Sequence, residues 1–252
     1  MLIAIKKRFL IATTLVFAAS TALVTLPIQS QEKSEPILQR ITSTRKASDE
    51  NLGPIVDYVA DNKTSNLDNT KEWQLRQMRE SRYSRRAPQP LAEFASVDFA
   101  IHTDWEVGLE PLPLSQSDAV ILGTVVNEKA YLSEDKTGIY SEFVIRVEKV
   151  LRNAGPLIKE SLMAEREGGV VRFSDGRLLP YKVFRQRLPR LQRNYLFFLK
   201  WSKQGEDYHI ITAYELRHDR ISPLDEPEKF AVFQDMDQEQ FMKTVQEAIT
   251  RL

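Results

Sequence analysis

There is no cysteine among the 252 residues. That excludes a disulfide framework, a thiolate nucleophile, a cysteine metal site and an acylated cysteine anchor. Any fold of this chain is therefore held by burial alone, and its length allows a substantial core. Catalytic signatures are missing as well: there is no Gly-x-Ser-x-Gly, no His-Glu-x-x-His, no phosphate-binding glycine loop and no Gly-x-Gly-x-x-Gly. Only three histidines occur, His102, His209 and His218, far apart and in no ligand spacing. We expect no metal site and no cofactor.

Neither sign of charge is in excess, since 35 Lys and Arg balance 35 Asp and Glu, but the distribution is uneven. From Arg172 to Lys200 eight basic residues stand against Asp175 alone, and from Glu206 to Glu239 ten acidic residues stand against three basic ones. The two tracts either pair within the fold or form opposite patches.

At the N-terminus, Lys6, Lys7 and Arg8 precede an uncharged run from Phe9 to Leu26 that Pro27 stops. This is the layout of a secretory signal, so residues 1–30 read as a signal peptide or signal anchor and are excluded from the fold. Cleaved or retained, the segment places the rest of the chain outside the cytoplasm, periplasmic or secreted. The only membrane contact expected runs through residues 9–26.

From Gln31 to Leu114 the sequence is polar, poor in branched aliphatics and without sustained period, and it reads as a largely irregular arm. Within it, residues 70–86 carry helix formers but only a thin apolar stripe, through Trp73, Gln77 and Glu80 or Leu75, Met78 and Arg82. Arg76, Arg79, Arg82, Arg85 and Arg86 are expected on a solvated helical face rather than on nucleic acid, which an exported protein rarely meets. Asn62-Lys63-Thr64 fits a glycosylation acceptor. Prolines at 88, 90, 111 and 113 interrupt regular structure, and we place the domain boundary near 114.

Strand signals dominate residues 115–252. The run Ala119 to Val126 is apolar on both faces apart from Thr124, with Gly123 positioned to let another backbone approach. After a polar turn, Ile139, Ser141, Phe143, Ile145 and Val147 alternate with Tyr140, Glu142, Val144, Arg146 and Glu148, which makes a hairpin. Further strands are expected over Leu157 to Glu165, Val170 to Phe173, Arg177 to Leu179, Tyr195 to Leu199, Tyr208 to Leu216 and Arg220 to Ser222. Asp175-Gly176 supplies a tight turn. So many short strands, some apolar on both faces, predict a closed or nearly closed barrel. Residues 237–250 read as a final helix, capped by Asp237 with Gln240 three residues on, its stripe of Phe241, Val245 and Ile249 packed on the barrel.

The order of an apolar strand through Gly123-Thr124-Val125, a turn, Phe143 to Leu151 and a later Tyr195-Leu196-Phe197-Phe198-Leu199 strand resembles the OB-type barrel of the netrin-module and tissue-inhibitor-of-metalloproteinases group. It is also similar to exported bacterial proteins of the same layout. The resemblance spans about Ser117 to Trp201 and implies an OB-like antiparallel barrel. It does not transfer an activity: that group inhibits through an N-terminal cysteine and this chain has none, and Gln192-Arg193 stands where the group tends to have a glycine.

The expectation for function is a non-catalytic exported β-barrel that binds an envelope or extracellular macromolecule. Tyr140, Tyr181 and Tyr195 are candidates for a ligand face and, more commonly, fillers of the core. The alternative is a cell-envelope hydrolase using acidic residues and His218, with Asp219 beside it. Glu134-Asp135 and the group Asp219, Asp225, Glu226 and Glu228 lack the spacing of a calcium loop and read as solvated turns.

Overall fold

The two-faced apolar run and the alternating run after it form one long hairpin, and the protein is built around it. The computed structural model describes residues 53–58, 70–94, 99–101 and 103–252. The expected signal segment, Asn62-Lys63-Thr64 and His102 lie outside them. In chain order the elements are β1 (Ile55–Asp57), α1 (Lys71–Arg82), β2 (Phe99–Ile101), β3 (Ala119–Leu132), β4 (Ile139–Asn153) and β5 (Ser161–Glu167). There follow β6 (Gly169–Arg172), β7 (Leu178–Val183), β8 (Asn194–Ser202), β9 (Asp207–Arg217), β10 (Arg220–Pro223) and α2 (Gln238–Thr250). The protein is mainly β with a C-terminal helix, and among the described residues no helix is long and apolar enough to cross a membrane.

Six strands bond in the order β10-β9-β5-β4-β3-β8, and β8 then pairs back onto β9. The sheet thus curls almost into a closed body, antiparallel throughout except where β5 meets β9 at Ala164–Tyr208 and Glu165–His209. Tight curvature needs relief in the longest hairpin, and the β3–β4 register slips at Val120/Ile121, Leu122/Gly123 and Val125/Asn127. At Gly123 a Cβ would sit 2.6 Å from the Ile145 side chain and 2.7 Å from the Arg146 carbonyl oxygen, so the expected close approach is real.

Strands without a polar face are explained by what lies on each side of them. Ile121 and Val125 of β3, with Phe197 and Leu199 of β8, fill the interior of the curled sheet together with Phe143 and Ile145. Their neighbours Val120, Leu196 and Phe198 point outward into a second core closed by α2 and the 3₁₀ turn at Glu228–Phe233. In α2, Asp237 caps the Gln240 amide at 3.0 Å as its spacing predicts. Phe241 and Val245 are fully buried there, with the Phe241 ring 4.9 Å from Tyr214 and 5.2 Å from Phe233.

A second sheet of four strands, β1-β6-β7-β2, packs beside the first over Leu91, Leu132, Ile139, Val171 and Leu179. Its central hairpin turns at residues 174–176, where Gly176 alone takes the left-handed conformation (φ 81°) and its amide bonds to the Phe173 carbonyl at 2.9 Å. The outer strands come from the segment read as an irregular arm. β1 runs parallel to β6 and β2 parallel to β7, each over three residues. Strands this short carry no legible period, so pairing with a neighbouring edge decides their conformation. The described residues between 53 and 114 thus include two strands and a helix of the folded body.

Because Phe241 is the aromatic keystone under α2, Phe241→Ala should cost about 3–5 kcal/mol of folding free energy. Urea unfolding of the full chain followed by near-UV circular dichroism checks this; an unchanged midpoint would show α2 to be an appendage.

Candidate functional site

The concentration of chemistry in this molecule lies where α1 rests on the outer face of β4 and β5. The helix inverts the expectation for its sequence, because its buried residue is Arg79, 4% exposed, while Met78 is 51% exposed. Thr70 caps it through the Trp73 amide at 3.3 Å, and Tyr83 closes its other end. The arginines read as a solvated face instead point inward, because the face of β4 and β5 beneath them is acidic. Arg79 and Arg82, three residues apart, fall on one side of the helix, and Arg86 follows from the turn after it, past the left-handed Arg85 (φ 60°).

Each arginine meets a carboxylate. Arg79 Nε stands 2.8 Å from Glu142 on β4. Arg82 pairs with Glu165 on β5 and, at 3.4 Å, with Asp207 at the start of β9. Arg86 lies 3.5 Å from Glu167, which also accepts the Tyr181 hydroxyl at 2.8 Å. Glu165 and Asp207 are buried, and Glu142 is nearly so. The outward half of the alternating β4 run, Tyr140 and Glu142, is thereby covered rather than solvated.

Two loops clamp the helix from its flanks. On the β3–β4 side, the Asp135 carboxylate accepts the Arg85 amide at 2.7 Å and Thr137 Oγ1 accepts the Arg86 amide at 3.1 Å. On the β8–β9 side, the Gly205 carbonyl accepts Arg79 Nη1 at 3.1 Å and Ser202 Oγ accepts Arg82 Nη2 at 2.7 Å. The first loop needs a glycine at the contact, since a Cβ at Gly138 would collide with the Tyr83 carbonyl, and in the second a Cβ at Gly205 would crowd the ends of the Asp207 and Arg82 side chains. Between the clamps a ladder of tyrosines is stacked, Tyr83 on Tyr140 at 4.9 Å and Tyr140 on Tyr131 at 5.4 Å, with Arg76 5.1 Å above Tyr131.

Desolvation dominates the electrostatics. Burial pushes the Glu142, Glu167 and Asp207 carboxyls above their ordinary range, against the opposing pull of Arg79, Arg86 and Arg82 respectively. His209, half-buried on β9 with its Nδ1 3.4 Å from the Tyr83 hydroxyl, is driven down to about 3 by burial and by the guanidiniums of Arg166, Arg82 and Arg86. It is a neutral imidazole throughout the physiological range.

A second buried pair lies elsewhere. Arg166 and Asp225, both fully buried side chains, meet at 2.7 Å. Arg166 also donates to the Ile211 carbonyl at 3.0 Å, and Asp225 accepts from Thr212 Oγ1 at 2.8 Å and from the Arg187 amide at 3.0 Å. Asp225, expected in a solvated turn, is thus a core group. Glu226 pairs with Arg187 at 2.7 Å and Arg193 stands 3.8 Å from Glu215, so the basic and acidic tracts meet within the fold.

The other candidates are not brought together. His218 and Asp219 are exposed in the tight turn from β9 to β10. Tyr140, Tyr181 and Tyr195 are all at most 1% exposed and act as fillers rather than as an open ligand face. Among the described residues no group of three or more His, Asp or Glu is arranged to hold a metal ion. Sequence reasoning missed Glu142, Glu165, Glu167 and Asp207 because they sit on different strands; the one available signal was the arginine spacing in 70–86. In class, then, this is a mainly β protein whose sheet carries an ion-paired helix. The chain matches no family model and no curated protein.

Two outcomes are expected. Arg82→Ala leaves Glu165 and Asp207 buried without their cation and should cost about 3–5 kcal/mol, measured by urea unfolding. His209 has a folded-state pKa below its unfolded one, so its contribution is fully present above pH 6.5 and is lost as pH falls toward about 3, at up to about 1.4 kcal/mol per pH unit. The raised carboxyls slope the other way, losing stability as pH rises, so the comparison needed is wild type against His209→Gln. The difference between their stability curves should shrink from pH 7 to pH 5; parallel curves would show a charged histidine to be tolerated.

Proposed function

We propose that the chain is a non-catalytic binding module, exported through residues 1–30, whose curled sheet is an OB-like barrel of the kind found in the netrin-module group. What supports the barrel reading is the pairing cycle β3-β4-β5-β9-β8, five strands with a single parallel contact, between β5 and β9. In OB barrels the face of the second and third strands, flanked by the loops after the first and fourth, takes the ligand. Here those are β4 and β5 and the two loops that clamp α1.

The observation that carries the binding reading is the state of the acid–base groups. Glu142, Glu167 and Asp207, whose proton affinities are displaced, are held against the arginines of the helix segment, and His209 against the Tyr83 hydroxyl. A general acid or base must reach its substrate within hydrogen-bond distance, and these reach groups of the protein itself. The partner is an envelope or extracellular macromolecule.

Co-sedimentation of the full chain with isolated cell-envelope material, with assay of the supernatant for released fragments, tests this. We expect saturable retention, unaltered by His218→Ala, and no release. Release that disappears in His218→Ala would establish the hydrolase instead, and absence of retention would remove the binding reading.

A further inference from the structure

We infer that the trench beneath α1 is a binding site for an arginine-bearing polypeptide helix, and that α1 is its resident, exchangeable occupant. This rests on the binding-module reading and deepens it by naming the partner's chemistry.

The trench is chemically specific. Without α1 it presents Glu142, Glu165, Glu167 and Asp207 together with the faces of Tyr131 and Tyr140, an anionic and aromatic surface suited to planar guanidiniums. Two of its sockets follow helical spacing, filled by Arg79 and Arg82 of α1, and the third takes Arg86 from the turn just beyond the helix. Such a surface repels nucleic acid and free phosphate, and it admits a cation on a rigid stem.

The trench is also built for close approach and incompletely satisfied. Gly138 and Gly205 clear the room that the occupant's backbone and Arg82 need. Yet Tyr140 Oη and Asp207 Oδ2, both buried, have no hydrogen-bond partner among the described residues. A buried polar network left partly unsatisfied holds its occupant less tightly than a fully bonded one. Within α1 itself apolar burial is small, with Met78 exposed and Trp73 and Leu75 only half-buried, and the large buried ring of the segment is that of Tyr83 at its C-terminal cap. On either side the chain is anchored independently, by β1 pairing with β6 and by Leu91, fully buried with its amide on the Lys136 carbonyl at 2.9 Å. α1 can therefore leave the trench and remain tethered, acting as an intramolecular competitor at high effective concentration.

The probe is a synthetic peptide of residues 70–87 of this chain, added to the full-length protein and to Thr70→Ala, which removes the side-chain cap of the tethered helix and leaves every trench residue in place. Fluorescence anisotropy of the labelled peptide should show saturable binding to Thr70→Ala, about fivefold tighter than to wild type because the tethered competitor is weakened while the probe keeps its own cap. A peptide carrying Arg79→Gln, Arg82→Gln and Arg86→Gln should bind at least about tenfold more weakly. Equal affinity for the two peptides, or no binding to a folded Thr70→Ala, overturns the inference. Should that variant fail to fold, hydrogen exchange of the wild type decides: α1 amides must exchange at least about a hundredfold faster than those of β4, by local opening. Exchange of both only through global unfolding overturns it. Failure of either arm leaves envelope binding untouched, whereas hydrolytic turnover would remove the underlying reading and leave the exchange pattern unaltered.

Discussion

Guanidinium against carboxylate, out of water, is the interaction on which the arrangement of this molecule depends. Moving either charge into the protein costs several kcal/mol, and only close pairing returns it. The protein does this twice: across the α1 interface, and in the core where Arg166 meets Asp225. The two differ in completeness. Asp225 receives Thr212, Arg166 and the Arg187 amide, and Arg166 also holds two carbonyls, so the loop after β7 and the loop after β10 are fixed to the same point. Among the described residues Arg166 Nε also lacks a hydrogen bond, but under α1 more atoms do, Tyr140 Oη and Asp207 Oδ2 among them. One network locks the fold, and the other closes a surface.

Arginine rather than lysine is needed at both places. A planar fork can face a carboxylate and still donate sideways to a carbonyl or hydroxyl, as Arg79 does to Gly205 and Arg82 to Ser202. It can also lie on an aromatic ring, as Arg76 does on Tyr131 and Arg166 on Trp105. A lysine would supply the charge without the second set of bonds. The same geometry accounts for the tyrosine ladder: ring faces and guanidinium planes stack at similar spacings, so the interface fills without aliphatic side chains.

How much of this was legible in the sequence follows from which periodicities a single chain displays. The β3–β4 hairpin, Gly123, Gly176 and the cap and stripe of α2 were all readable, because each is a local pattern within one element. The apolar character of β3 and β8 on both faces correctly marked strands buried on both sides. What could not be read was pairing between distant segments: β1 and β2 are three residues each, and their edges are residues 169–183. The arginine-rich helix was misread as solvated because amphipathicity is defined by apolar stripes, and its buried stripe is cationic. Its acidic counterpart is scattered over β4, β5 and β9, where Glu142 looked like the polar side of an ordinary alternation. Asp225 was misplaced for the same reason, since nothing nearby in sequence announces Arg166.

The two covers of the curled sheet also differ in what can be asked of them. Beneath α2 the contact is aromatic and aliphatic, built from Val120, Phe198, Tyr214, Phe241 and Val245, and exposing it would put a broad apolar area in water. Such a cover is permanent, since the hydrophobic term is non-directional and no small change of solvent or partner replaces it. Beneath α1 the exposed surface would be carboxylates and tyrosine faces, which water solvates well. Removing that helix trades desolvation already incurred for the loss of its ion pairs, two large terms of opposite sign. A near-balance of that kind is what permits a cover to open, and it places the changeable side of this fold on β4 and β5.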